Sequence, residues 1–263
     1  MINENKELGE NIDLSEDKLL GGKVIIFQPK KGYRVAMDSC LLAAAVPAKA
    51  GDSILDLGVG TGAVSLCIRA RVPKTNIVGI DKNTGYLELA QKSVVKNGWE
   101  NSIDLHFGDV CKPPRILEPA SFDFVVANPP YFDEEAYFKS PNSGKSEAHA
   151  NHGSRLSDWV KCAKQFLKPD GQFFVIFPSD REETLLSALK AEFNEIRLIR
   201  VFSSTEDTPI RLIAAAKVAP MAEAVVLEAG KLHIRDEKGD YTPLARSILW
   251  DGAGLSPKTQ LAS

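Results

Sequence analysis

Long hydrophobic runs are missing from these 263 residues. The longest, at 41–46 and 173–177, fall far short of the roughly 20 apolar residues that span a bilayer, so no membrane-crossing helix is expected. Cysteine is scarce: Cys40, Cys67, Cys111 and Cys162 lie far apart with no CxxC pair. That excludes a disulfide framework or zinc ribbon and suits reduced thiols buried as small hydrophobes. His149 and His152 stand three apart in HANH but lack a third ligand at fixed spacing, so no metal is expected. The first 18 residues lack the basic start and apolar stretch of a secretory leader, since Glu4, Glu7, Glu10, Asp13, Glu16 and Asp17 oppose only Lys6 and Lys18. A cytoplasmic location is therefore expected. Positive charge is not in excess either. The 32 Lys and Arg against 35 Asp and Glu leave a formal net charge of -3, which excludes a uniformly basic surface for nucleic acid.

What is present is an ordinary globular composition, 44% hydrophobic and 25% charged, which excludes a disordered or low-complexity chain. Residues 1–18 read as a flexible acidic arm. A strand–loop–helix preface follows at 19–46, and from Ser53 strands alternate with helices. Strands are expected at 54–57, 76–80, 103–107, 122–127, 171–177, 196–202 and 210–217, and helices at 63–71, 84–97, 156–167 and 182–193. This alternation implies right-handed crossovers and a doubly wound α/β domain over 19–219, its mostly parallel sheet covered on both faces. In the remaining 220–263, residues 224–228 and 231–235 are expected to form a hairpin around Ala229-Gly230. Thr242 and Pro243 would open a short helix, and the whole reads as an appendage.

The chemistry begins at Asp56-Leu57-Gly58-Val59-Gly60-Thr61-Gly62, a strand running into a glycine turn that opens a helix. Glycines take up positive φ and let the backbone approach a ligand closely. Asp81, closing the next strand in VGID, stands where a carboxylate accepts from both hydroxyls of a ribose. The bland alternative is a tight crossover with an acid capping the next helix. A dinucleotide site shows GxGxxG with its helix N-terminus facing a pyrophosphate. Here the spacing is GxGxG, and Asp56 just before it would repel a diphosphate but receive an ammonium.

The second signal is Asn128-Pro129-Pro130-Tyr131, directly after the apolar strand at 122–127. Two prolines stiffen the loop and leave its carbonyls outside the ladder. The Asn128 side-chain oxygen and the Pro129 carbonyl form a pair of acceptors for the two hydrogens of a planar amine. Such bonds strengthen as the nitrogen gains positive charge, and so contribute to rate. Tyr131 offers a flat face on which a base can stack, worth about 1–3 kcal/mol, enough to offset taking that base out of a helix. Alone, the segment is also compatible with an Asn-Pro turn and a packed tyrosine.

Together these motifs resemble class I S-adenosylmethionine-dependent methyltransferases. The stretch from Leu20 to about Lys217, with LLGGKVIIFQPKKGYRVAMDSCLLAAAV, LDLGVGTGAVSL, VGIDKN and VVANPPYF, resembles the bacterial tRNA1(Val) adenine-37 N6-methyltransferase-like proteins. The resemblance implies a Rossmann-like, seven-stranded sheet with an antiparallel last strand, S-adenosylmethionine as cofactor and a tRNA adenine near the anticodon as acceptor. It gives Asp56 the cofactor's amino end, directly or through water, Gly58 and Gly60 its methionine backbone, Asp81 the ribose and Asp109 of FGDV the adenine amino group, with Gly62 also expected on the cofactor. Asn128 would border both cofactor and acceptor. Asp109 also reads as a loop cap. Two departures stand out: the segment beyond Ala222, and Asn151 where an arginine is expected.

Lys30, Lys31 and Arg34, with Lys23 nearby and only Asp38 opposing them, are the expected contacts to an RNA backbone, or for Arg34 to the cofactor carboxylate; solvated surface charge is the bland alternative. Glutamine-amide methyltransferases of release-factor type also use NPPY, but they carry a helical N-terminal domain that this preface does not supply. No obligate protein partner is evident.

Overall fold

The computed structural model describes residues 13–30, 37–130, 155–205, 208–220 and 223–255. It opens on an antiparallel hairpin of β1 (Leu14–Leu19) and β2 (Val24–Pro29), closed by a 3-10 turn at Leu20–Gly22. Residues 14–18 are thus strand, where their charge suggested part of a flexible arm. Their polar side chains find partners beside the ladder: Gln28 Nε2 donates to Asp17 at 2.8 Å, and Lys96 pairs with Glu16 at 3.4 Å. The outer edge of β2 is satisfied by a helix, α3 (Thr84–Asn97). Asn97 accepts from the Ile25 N–H at 3.0 Å and donates to the Ile25 carbonyl at 2.6 Å, while Ser93 accepts from the Phe27 N–H at 2.9 Å. An edge that would template aggregation is closed by side chains.

The main sheet holds β3 (Ser53–Leu57), β4 (Asn76–Asp81), β5 (Ile103–Phe107), β6 (Phe122–Ala127), β7 (Leu167–Pro178), β8 (Glu195–Phe202), β9 (Arg211–Lys217) and β10 (Val225–His233). Their order is β10-β8-β9-β7-β6-β3-β4-β5. Every pairing is parallel except those of β9, which runs against both β7 and β8. Around the sheet lie α1 (Met37–Ala45), α2 (Ala63–Arg71), α3, α4 (Leu156–Phe166) and α5 (Glu182–Lys190). Strand residues alternate between two cores: Ile54, Val126, Phe174 and Ile176 belong to one, and Leu55, Leu57, Val125, Phe173 and Val175 to the other. Burial on both faces explains why these strands read as unbroken apolar runs.

The eighth strand and the shape of the C-terminal segment depart from expectation. Residues 225–233 form one strand beside β8, and the register shift between Glu228 and Gly230 leaves Ala229 as the extra residue of a bulge. The Ala-Gly pair that resembled a hairpin turn is absorbed in the ladder. The chain then forms α6 (Pro243–Arg246), with Thr242 accepting from the Ala245 N–H at 3.2 Å, and continues into a wider turn at Ser247–Asp251. Ile234, Ala245, Ile248 and Leu255 are buried in the same core as α1 and α2. Lys23 Nζ donates to the Asp251 carbonyl at 2.6 Å, and the Leu255 N–H donates to the Ala44 carbonyl at 2.8 Å. Of the four cysteines, Cys111 is exposed and the other three are buried. No helix among the described residues is long and apolar enough to cross a membrane.

Candidate functional site

From β3 the chain proceeds by α2 to β4 on one side of the sheet, and β6 lies on the other. Such a reversal of strand order opens a crevice at the carboxyl ends of the strands. Leu57 of β3 and Ala127 of β6 are register partners in the parallel ladder. The glycine turn and the Asn-Pro-Pro turn therefore leave adjacent strands at the same level, about 4.8 Å apart.

The crevice is a cavity of about 450 Å³ whose walls include Asp56, Gly58, Gly60, Asp81, Asp109, Asn128, Pro129 and Pro130. Gly58 and Gly60 have φ of 63° and 54°, in the region that side-chain-bearing residues resist. At Gly58 a second constraint applies, because a Cβ would lie 2.3 Å from Trp159 Cη2. Gly62, expected on the cofactor, instead begins α2 with φ 90° and packs toward Ala90, where a Cβ would meet Ala90 Cβ at 3.4 Å. It is absent from the cavity wall.

Asp81 at the end of β4 is held by two amides: Gly60 N–H donates to Oδ2 and Asn83 N–H to Oδ1, both at 2.8 Å. Asn83 also caps α3 by accepting from the Tyr86 N–H at 3.0 Å. Asp109 lies on the cavity wall and accepts from the Cys111 N–H at 2.8 Å, so the loop-cap role it was expected to share is present.

Asp56 is buried behind the turn and accepts from Ser65 Oγ at 2.6 Å. Burial pushes its carboxyl up to about 7; the Ser65 bonds oppose this and the charge of Asp81 adds to it. Asp81 is itself raised by burial, against the Asn83 and Gly60 amides and the charge of Lys82. Two desolvated acids sharing one cavity favour a cation over an anion. Among the described residues, Thr61 Oγ1 is a buried hydroxyl with no hydrogen-bond partner, in the same turn. These features fit S-adenosylmethionine, which carries an ammonium, a sulfonium and a ribose but no phosphate. Asp56 would face its amino group, Gly58 and Gly60 its methionine chain, and Asp81 its ribose.

Several wall residues were not singled out in the sequence: Ser39 of α1, Lys82 and Asn83 after β4, Tyr86 of α3, and Trp159 of α4. Asn83 stands in the quoted VGIDKN and was legible as a helix cap, whereas Trp159 looks like any apolar residue of an amphipathic helix. Lys30 is exposed and pairs with Asp13 at 3.7 Å. Lys31, Arg34, Tyr131 and Asn151 lie outside the described residues, as do His149 and His152. A second cavity of about 290 Å³ lies at the other end of the strands; of the charged residues on its wall, Glu195 is paired with Arg197 at 2.9 Å and Lys217 at 3.2 Å. No group of three or more potential metal ligands occurs among the described residues.

Residues 32–203 match the family model of the methyltransferase small domain. The tRNA1(Val) (adenine(37)-N6)-methyltransferase of Phocaeicola vulgatus is 32% identical over 166 residues, covering 62% of this chain and 67% of that protein. The protein of the same name from Pasteurella multocida is 29% identical over 211 residues, covering 80% and 85%. In fold, the chain is similar to a predicted O-methyltransferase from Agrobacterium tumefaciens, with a TM-score of 0.67 at 20% identity over 83% of this chain and 98% of that one. The chain belongs to the methyltransferase small domain family and is an S-adenosylmethionine-dependent methyltransferase.

Proposed function

We propose that this enzyme methylates the N6 amino group of an adenine in tRNA, at position 37 beside the anticodon. The observation that supports the reading most is the register pairing of Leu57 with Ala127, by which the glycine turn and the Asn-Pro-Pro turn leave adjacent strands at one rim. The names of the relatives supply the acceptor, and the Asn-Pro-Pro turn supplies the chemistry.

The cofactor, when bound, supplies an electrophilic methyl on a sulfonium. The Asn128 side-chain oxygen and the Pro129 carbonyl accept the two amino hydrogens, drawing the nitrogen from planar toward pyramidal and freeing its lone pair. The nitrogen so presented could take the methyl that the cofactor would supply, and the proton it then sheds would pass to solvent. The amine becomes acidic only after attack, so no strong base is needed, and positioning is the main contribution. Pro129 is buried and Pro130 exposed at the mouth, which sets a stiff lip against which a flipped base can rest. Lys30, Lys31 and Arg34 would contact the RNA backbone. Tyr131 would stack on the base.

Nucleoside analysis of tRNA from cells with and without the gene tests the reading: loss of N6-methyladenosine from one tRNA supports it. Purified enzyme that labels a release-factor glutamine and leaves tRNA unlabelled would replace it with the amide reading.

A further inference from the structure

Trp159 takes no part in the sequence motifs, yet on the cavity wall it lies directly against Gly58 of the glycine turn. It sits in the first turn of α4, and that helix packs against both β3 and β6. Those are the two strands that lead into Gly58 and Asn128. The six-membered ring of its indole lies over Gly58, so close that the added Cβ would stand 2.3 Å from Cη2 and 2.8 Å from Cζ3. The ring is buried and forms part of the same wall as Asn128 and Pro129.

The transferable methyl must lie between the cofactor turn and the amine-binding turn, because one holds the donor and the other the acceptor. Trp159 is anchored between the ends of the same two strands. Among the described residues this wall carries two aromatic rings, Tyr86 of α3 and Trp159, and Trp159 is the one that lies over Gly58 of the glycine turn. Indole is the strongest aromatic partner for a cation, and a cation held against it in a site closed to water gains most.

We propose that Trp159 is a specificity-determining residue that favours the cationic sulfonium over the neutral thioether left after transfer. This rests on the placement of S-adenosylmethionine in the cavity. The attraction exists only while the sulfur carries its charge. It therefore helps to hold the substrate form of the cofactor and disappears once the methyl has moved, easing exchange of S-adenosylhomocysteine. Asp56 does not make this distinction, since both forms keep the ammonium it would face.

Equilibrium titration of the wild type, Trp159→Leu and Trp159→Phe with S-adenosylmethionine and with S-adenosylhomocysteine tests the proposal without any methyl acceptor. Trp159→Leu should weaken S-adenosylmethionine roughly tenfold and S-adenosylhomocysteine by less than about threefold, while Trp159→Phe keeps most of the preference. Equal losses for both ligands would make the indole a wall of shape alone and overturn the proposal, as would no loss for either. Melting curves without ligand report whether each variant folds. If the leucine variant does not, a phenylalanine variant whose ratio of affinities falls about twofold upholds the proposal, and an unchanged ratio overturns it. A wild type that binds neither ligand would refute the cofactor site itself.

Discussion

Leu57 and Ala127 are register partners in adjacent parallel strands, and the next residue of each chain, Gly58 and Asn128, lines one cavity. The two turns proposed to bind donor and acceptor are thereby aligned by sheet hydrogen bonding. Backbone ladders are the stiffest elements a protein offers for this purpose. A fraction of an ångström of misplacement is costly in a direct transfer between two bound groups.

Asp56, proposed to face the cofactor's ammonium, should make cofactor affinity depend on pH. Its folded value of about 7 is raised from 3.8 by burial, so its contribution to stability is full below about pH 4 and is lost as pH rises through 7. The free protein should therefore melt higher at pH 6 than at pH 8 so far as this group is concerned. Binding follows the opposite course, because the ammonium prefers the ionised carboxylate. Affinity for S-adenosylmethionine should rise between pH 6 and 8 with release of a proton, measured by calorimetry in buffers of different ionisation enthalpy. Asp56→Asn should flatten both profiles.

Asp81 has a double role, since its carboxylate receives the Gly60 amide as well as the ribose it is proposed to bind. Hydrogen bonds to a charged group are each worth about 1.5–3 kcal/mol. Asp81→Ala should thus weaken S-adenosylmethionine by at least tenfold in a binding titration and lower the melting temperature of the free protein. Asp81→Asn, which keeps one acceptor for an amide, should recover most of the stability but little of the affinity.

Gly58 and Gly51 provide a controlled comparison. Both have positive φ, 63° and 96°, but a Cβ at Gly58 strikes Trp159 whereas one at Gly51 meets nothing within 4 Å. Gly51→Ala should cost about 1 kcal/mol from backbone strain alone. Gly58→Ala should cost about 2–4 kcal/mol, strain plus overpacking, and should also impair cofactor binding. Chemical denaturation of the two variants measures the difference.

Ile248 tests how the C-terminal segment is joined to the rest. Its side chain is buried in the core shared with α1 and α2. Ile248→Ala should cost about 2–5 kcal/mol and move a single unfolding transition. A separate early transition with the main one unmoved would show an independently folding appendage.

Much of this molecule was legible in the sequence. Strands β3 and β6 are marked by apolar runs that lead into Gly58 and Asn128, and β4 by a run that closes on Asp81, patterns set by local chemistry. The eighth strand was not, because Ala229-Gly230 has the composition of a turn and only the neighbouring β8 makes it a bulge. Residues 14–18 were missed for a related reason: their charges suit a free arm until β2 and Lys96 are in place. Within the site, Asp56, Gly58, Gly60, Asp81, Asp109, Asn128, Pro129 and Pro130 all reach the cavity, whereas Gly62 serves the packing of α2. Trp159 left no local signal, since its place over Gly58 arises only from the docking of α4 on β3 and β6.

The division of labour between the two turns is tested most directly by Asn128→Ala, measured in parallel for S-adenosylmethionine binding and for methyl transfer to tRNA whose position 37 is adenine. Transfer should fall at least a thousandfold, on the scale of losing an oriented transition-state contact of about 4 kcal/mol, while cofactor affinity changes less than about threefold. Loss of cofactor binding in step with transfer, or transfer that persists, would contradict the assignment of Asn128 to the acceptor amine.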